Sequence, residues 1–363
     1  MNHLRRGLRQ QLITICAMLA LPPLQELRAA DTNPAPYRVL DTVQSVGSGG
    51  IDYVYADSDG RRLYVPRGDK VMVFDLDSFK PVGTIPDARA RGVAVDPGSH
   101  HGFCSSSPVV MWDTKTLEKI KTIDIQGRPD GILFEELTAR VYVFSHTQPN
   151  VTVIDAKDGA VVGTIDLGGA PEQAASDGKG RLYVDLEDKD KIAVVDVKTL
   201  KVTATYGLDG KGGGPAGLAL DAKNGILFAF CRDPQTCVVL GAEDGKIITT
   251  LPIGRGTDGG GFNPVTMEAF SSQGDGTLTL IKEHSPARFE VLQTVSTKPR
   301  GKTSTLDLKT GKIIVIATEP VPGSATPAAG SPPPVGGNPP DQGRREGRGG
   351  GGPAFLDIVV VGR

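Results

Sequence analysis

Short runs in which apolar and polar residues alternate follow one another along most of the chain. Each is broken by a turn rich in polar residues, glycine or proline. The segment 179–205 (KGRLYVDLEDKDKIAVVDVKTLKVTAT) holds two such runs and the start of a third, and 139–165 (ARVYVFSHTQPNVTVIDAKDGAVVGTI) repeats nearly the same phrase. A period of two with many β-branched residues predicts strands, and long amphipathic helical runs are absent. A polar residue closes the strand before each copy of the phrase. These anchors are Asp57, Asp96, Glu135, Ser176, Asp221, Asn263 and Asp307, at spacings of 39, 39, 41, 45, 42 and 44 residues. Seven positions after them stand Tyr64, Phe103, Tyr142, Tyr183, Phe228, Phe270 and Ile314. With only 7 Tyr and 11 Phe in the chain, that column is not a product of chance.

A period near forty with four short strands per repeat predicts an all-β fold, a seven-bladed β-propeller with four antiparallel strands in each blade. The seventh repeat supplies strands at 303–311, 313–318 and 355–362 and then runs out of chain, one strand short. A spare strand at 37–46 precedes the first repeat, so the last blade is expected to be closed by strands from both termini.

The recurrent pattern LYV…VxVID…VxxTI…G resembles the YVTN-repeat propellers of secreted and periplasmic bacterial proteins and is similar to the YncE-like family. The four-letter motif reads YVPR, FCSS, YVFS, YVDL, FAFC, FSSQ and IVIA here, so Tyr-Val survives in three blades and the Thr-Asn ending in none. The resemblance implies the propeller fold and an extracytoplasmic setting. It implies no particular activity, because propellers host unrelated functions.

Residues 1–30 read as a bacterial-type signal peptide. Arg5, Arg6 and Arg9 precede the apolar run 12–21, which is too short to anchor the chain in a bilayer, and Ala29 and Ala30 follow. The general secretory and twin-arginine routes both fit. The expected product, 31–363, is secreted or periplasmic. Cutting after Ala30 turns 40 basic and 42 acidic residues into 36 and 41, a net of −5, which argues against nucleic acid as a partner. In an oxidising compartment Cys231 and Cys237, which flank a predicted hairpin loop, can form a cross-strand disulfide or remain two buried thiols. Residues 321–353, where 18 of 33 are Pro or Gly, are expected to be a disordered insertion within the last blade.

Motifs for metal-ribbon, haem-attachment, zinc-protease or serine-hydrolase chemistry are absent, and no cofactor is predicted. Asp75, Asp113, Asp155 and Asp196 recur at the end of the third strand and read as turn caps. The candidate site comes from the repeat alignment. Five positions before the anchors stand Asp52, Arg91, Asp130, Pro171, Ala216, Asp258 and Lys302; seven before, three blades carry Arg89, Arg128 and Arg300. With Glu172 beside them, these charges are expected at the mouth of the central funnel. Loops between second and third strands should add His146, Asp188, Asp190 and Arg232 to the same face.

Two readings of the funnel stand side by side. It is lined by ion pairs between blades, or it binds a protein partner, a glycan or a small anionic ligand. The expectation is a monomeric, non-catalytic scaffold that binds through this face. The alternative is a metal-dependent lactonase-type hydrolase, in which a divalent cation held by oxygen ligands polarises an ester.

Overall fold

The seven polar anchors each end the innermost strand of one sheet. In the computed structural model, which describes residues 34–321 and 354–363, these strands are Tyr55–Asp57, Val93–Asp96, Pro129–Glu135, Pro171–Ser176, Pro215–Asp221, Thr257–Asn263 and Gly301–Asp307. The anchor side chains accept hydrogen bonds from backbone N–H groups two or three residues on. Gly60 donates to Asp57 (2.8 Å), Leu137 to Glu135 (3.0 Å) and Lys223 to Asp221 (2.9 Å). A short acceptor side chain recurs there because it satisfies amides that leave the ladder where the chain reverses. Asp75, Asp113, Asp155 and Asp196 do the same after the third strands, accepting from Ser78, Lys115, Lys157 and Lys198.

The described residues form seven antiparallel sheets of four strands and no helix. In six sheets the strands are consecutive in sequence. The seventh runs outward as Gly301–Asp307, Lys312–Pro320, Ala354–Gly362 and Arg38–Gly47. The last blade is thus closed by strands from both termini, with Arg38 opposite Gly362 and Gly47 opposite Ala354. Inner strands touch their neighbours around the ring. Where blade seven meets blade one, Thr303 Oγ1 accepts the N–H of Val54 (3.0 Å) and donates to the carbonyl of Asp52 (2.6 Å).

The aromatic column lies on the second strands, with every member at most 2% exposed. Its packing runs between blades. Tyr142 and Phe144 of blade three pack with Leu182 and Val184 of blade four, and Tyr183 of blade four with Leu218 and Leu227 of blade five. A single repeat cannot cover its own apolar face, so each blade depends on its neighbours for burial worth roughly 1.5–3 kcal/mol per large side chain. The hydroxyls of Tyr142 and Tyr183 reach the adjoining blade too, donating to the carbonyls of Val197 (3.3 Å) and Ala242 (3.0 Å).

The cross-strand disulfide is not formed. Cys231 stands opposite Thr236 and Cys237 opposite Phe230, so the two residues are one register step apart and point to opposite faces. Cys231 packs toward blade four and Cys237 toward blade six, both as buried free thiols. The expected signal peptide 1–30 and, apart from Val321, the expected insertion 321–353 lie outside the described residues.

Candidate functional site

Antiparallel order brings the start of each inner strand and the end of each second strand to one rim. Asp130, Glu172, Asp258 and Lys302 are each the second residue of an inner strand. His146, Glu187 and Arg232 each follow the last residue of a second strand. All of these line one cavity of about 920 Å³ at the mouth of the funnel, together with Asp52, Tyr53, Arg89, Arg91 and Arg300. Eight of the nine residues predicted for the mouth are therefore together. The ninth, Arg128, is exposed and does not line the cavity; its backbone N–H donates to Ser145 Oγ (2.7 Å). Asp188 and Asp190 also stay outside it, each capping a backbone amide, those of Ala170 (2.7 Å) and Gly214 (2.8 Å).

Inside the mouth the charges form a closed cycle that alternates in sign. Asp52 accepts from Arg91 NH1 (2.9 Å), and Arg91 Nε lies 3.6 Å from Asp130 Oδ1. Asp130 Oδ2 is 3.0 Å from His146 Nε2, which is 3.3 Å from Glu172 Oε2. Glu172 Oε1 accepts from Arg232 NH2 (3.0 Å), which also reaches Asp258 Oδ1. Lys302 bonds Asp258 Oδ2 and returns to Asp52 Oδ1 at 3.4 Å. Glu187 joins from the side, 2.7 Å from Arg232 NH1. The ion-pair reading of the funnel is thus visible in the geometry.

Burial and these partners set the ionisation of the cycle. The carboxylates of Asp130 and Glu172 push His146 up to about 10, so its ring is a cation at neutral pH. Burial raises Asp52 to about 6, against the pull of Lys302. Burial opposes the charge on Lys302, but Asp258 and Asp52 outweigh it and hold the ammonium above its ordinary value. Behind the rim, burial lifts the fully enclosed Asp185 carboxyl well above the carboxylate range.

Arg89 and Arg300 differ from the cycle. Both are exposed, both line the cavity, and neither has an ion-pair partner among the described residues. They sit just before blades two and seven, the two neighbours of blade one, and so flank the same side of the mouth.

The period exposed every cycle member that stands five positions before an anchor. Glu187 and Tyr53 were missed. Glu187 comes from a loop whose position relative to the anchor varies between blades. Tyr53 reads as one more aromatic in a strand-rich stretch, yet its hydroxyl bonds the carbonyl (3.1 Å) and Oε2 (3.3 Å) of Glu172.

No protein-family model and no curated protein sequence matches this chain. Solved structures do. The crystal structure of the RRP9 WD40 repeats matches with a TM-score of 0.67 at 11% identity, over 87% of this chain and 97% of that one. A chain in the crystal structure of a mitotic checkpoint complex matches with a TM-score of 0.66 at 12% identity, over 85% and 95%. The class is established on both counts: this chain is a seven-bladed β-propeller, of the same fold as WD40-repeat propellers.

Proposed function

We propose that the protein is a non-catalytic binding scaffold whose funnel mouth takes a small anionic ligand or an anionic group of a partner. The observation that carries this is the contrast between the cycle and the rim. Cycle charges are engaged with one another, whereas Arg89 and Arg300 present guanidinium groups to the same cavity without carboxylate partners. A planar fork of donors suits carboxylate or phosphate. That one of the similar structures above was solved as part of a protein complex supports a scaffold role. From the motif pattern we further infer membership in the YVTN-repeat, YncE-like propellers, and from the first thirty residues export from the cytoplasm.

Titration calorimetry of 31–363 with di- and tricarboxylates and sugar phosphates tests the reading. We expect saturable binding that weakens with salt, and at least tenfold weaker binding in the Arg89→Gln/Arg300→Gln double variant at unchanged melting temperature. Absence of binding across the panel, or equal binding by the double variant, overturns it.

The rival, a metal-assisted lactone hydrolase, draws support from Asp130, His146 and Glu172, whose donor atoms all lie within 4.8 Å of one another. Metal-dependent acid release from lactones, followed at constant pH, would favour it over the scaffold.

A further inference from the structure

The meeting of Asp130, His146 and Glu172 goes beyond ion pairing. Three side chains from two neighbouring blades aim one donor atom each at a common point: Oδ2 of Asp130, Nε2 of His146 and Oε2 of Glu172. A four-coordinate Zn²⁺ with ligands near 2.0–2.1 Å spaces its donors about 3.3 Å apart. The two separations from His146 Nε2 are 3.0 and 3.3 Å. Two of the three separations thus match those around such an ion, and the third, between the two carboxylates, lies within 4.8 Å.

One further observation points the same way. Asp130 is 7% exposed, and its second oxygen, Oδ1, is buried and accepts no hydrogen bond. Its cation neighbour, Arg91 Nε, is 3.6 Å away, beyond hydrogen-bond reach; a buried carboxylate so sparsely satisfied is costly, and a metal on Oδ2 lowers that cost.

The surrounding contacts orient the ligands. Arg232 holds Glu172 by Oε1, which leaves Oε2 turned toward His146. Carboxylate ligands fixed by outer partners in this way are usual around bound metals.

We propose that Asp130, His146 and Glu172 form a three-ligand site for a divalent transition metal, Zn²⁺ before Ca²⁺ or Mg²⁺, with the fourth position open to the funnel. The imidazole donor selects against the hard, oxygen-seeking ions. Three protein ligands and one open position leave room for water or for an anionic group from the cavity. The inference does not rest on the anion-binding reading: a chain that holds Zn²⁺ but no carboxylate or phosphate supports the one and sinks the other.

The test is calorimetry of 31–363, stripped with EDTA and dialysed, titrated with Zn²⁺ alone and then with Ca²⁺ alone. The expected result is one Zn²⁺ per chain and at least hundredfold weaker Ca²⁺ binding. His146→Gln should weaken Zn²⁺ at least hundredfold, whereas Asp258→Asn, in the same cycle but not a ligand, should change it less than tenfold. Should His146→Gln fail to fold, the visible spectrum of the Co²⁺-loaded natural chain decides: intense bands mark four-coordination. Failure of the natural chain to bind Zn²⁺, equal binding by a folded His146→Gln chain, or a pale six-coordinate Co²⁺ spectrum overturns the proposal.

Discussion

Tyr53 of blade one hydrogen-bonds Glu172 of blade four, its hydroxyl 3.1 Å from the Glu172 carbonyl and 3.3 Å from Oε2. The ring of Tyr53 lines both the 920 Å³ mouth and a second cavity of about 360 Å³ farther along the channel. One side chain therefore stands between the two spaces and ties blades that are not neighbours. Tyr53→Phe keeps the ring and removes the tie. It should lower stability by about 1 kcal/mol, read as a shift of the urea midpoint at constant slope. An unchanged midpoint would mean that the bond contributes nothing net.

Removing residues 34–47 deletes the outer strand of blade seven, which pairs with Ala354–Gly362 along its length. The freed strand would present a long unpaired edge. The expected outcome is loss of the single cooperative melting transition, or a large drop in its temperature, with aggregation. Calorimetry of the truncated chain checks this, and a melt like that of the untruncated chain would disprove closure by this strand.

The cycle and the turn that follows the inner strand of blade seven should respond to pH in opposite directions. His146 is raised from 6.5 to about 10 by the carboxylates of Asp130 and Glu172, so its stabilisation is complete below 6.5 and lost as pH rises through 10. Asp307 is lowered from 3.8 to about 2; its burial acts against the carboxylate, and the hydrogen bonds from Arg61 and Thr310 prevail. Its stabilisation is present above 3.8 and lost as pH falls through 2. With EDTA present, the melting-temperature gap between His146→Gln and the natural chain should be large at neutral pH and shrink near pH 10. For Asp307→Asn the gap should instead shrink in acid. A gap independent of pH in either variant would contradict the assigned partners.

Blade two offers a packing test. A Cβ on Gly102 would lie 2.2 Å from Cε2 of Trp112, which is fully buried on the paired strand. Gly102→Ala should cost about 1–3 kcal/mol through overpacking. Gly50→Ala meets no atom within 4 Å and serves as the control. Denaturation midpoints of the two variants should separate clearly; coincident midpoints would show that Trp112 can move aside freely.

The fold was legible because its determinants are local and repeated. Each anchor from Asp57 to Asp307 must cap a turn, and each column residue from Tyr64 to Ile314 must fill the gap to a neighbouring blade. Both demands recur at every blade, so they leave a period. The mouth was legible for the same reason where a charge occupies a fixed place in the repeat, as Asp52, Arg91, Asp130, Asp258 and Lys302 do. Pairing was not. That Arg232 of blade five holds Glu172 of blade four and Asp258 of blade six depends on the angle between blades, which no single repeat encodes. Arg128 shows the limit of position alone: it occupies the same place as Arg89 and Arg300 but does not line the cavity. Between the two readings of the cysteines, one step of register decides for buried thiols, since five residues between Cys231 and Cys237 put the turn off-centre and set the thiols back to back.

The pairing of Arg38 with Gly362 also decides how the molecule answers mechanical load. Because the two partners at one end of this ladder sit at opposite ends of the described chain, tension applied across the termini does not shear the ladder as a whole. It peels the pairs one after another, starting from Arg38 and Gly362, and each step bears only one pair's resistance. Pulled between its blades the ring would resist as a unit, but pulled by its ends it should open like a zip, and blade seven should open first.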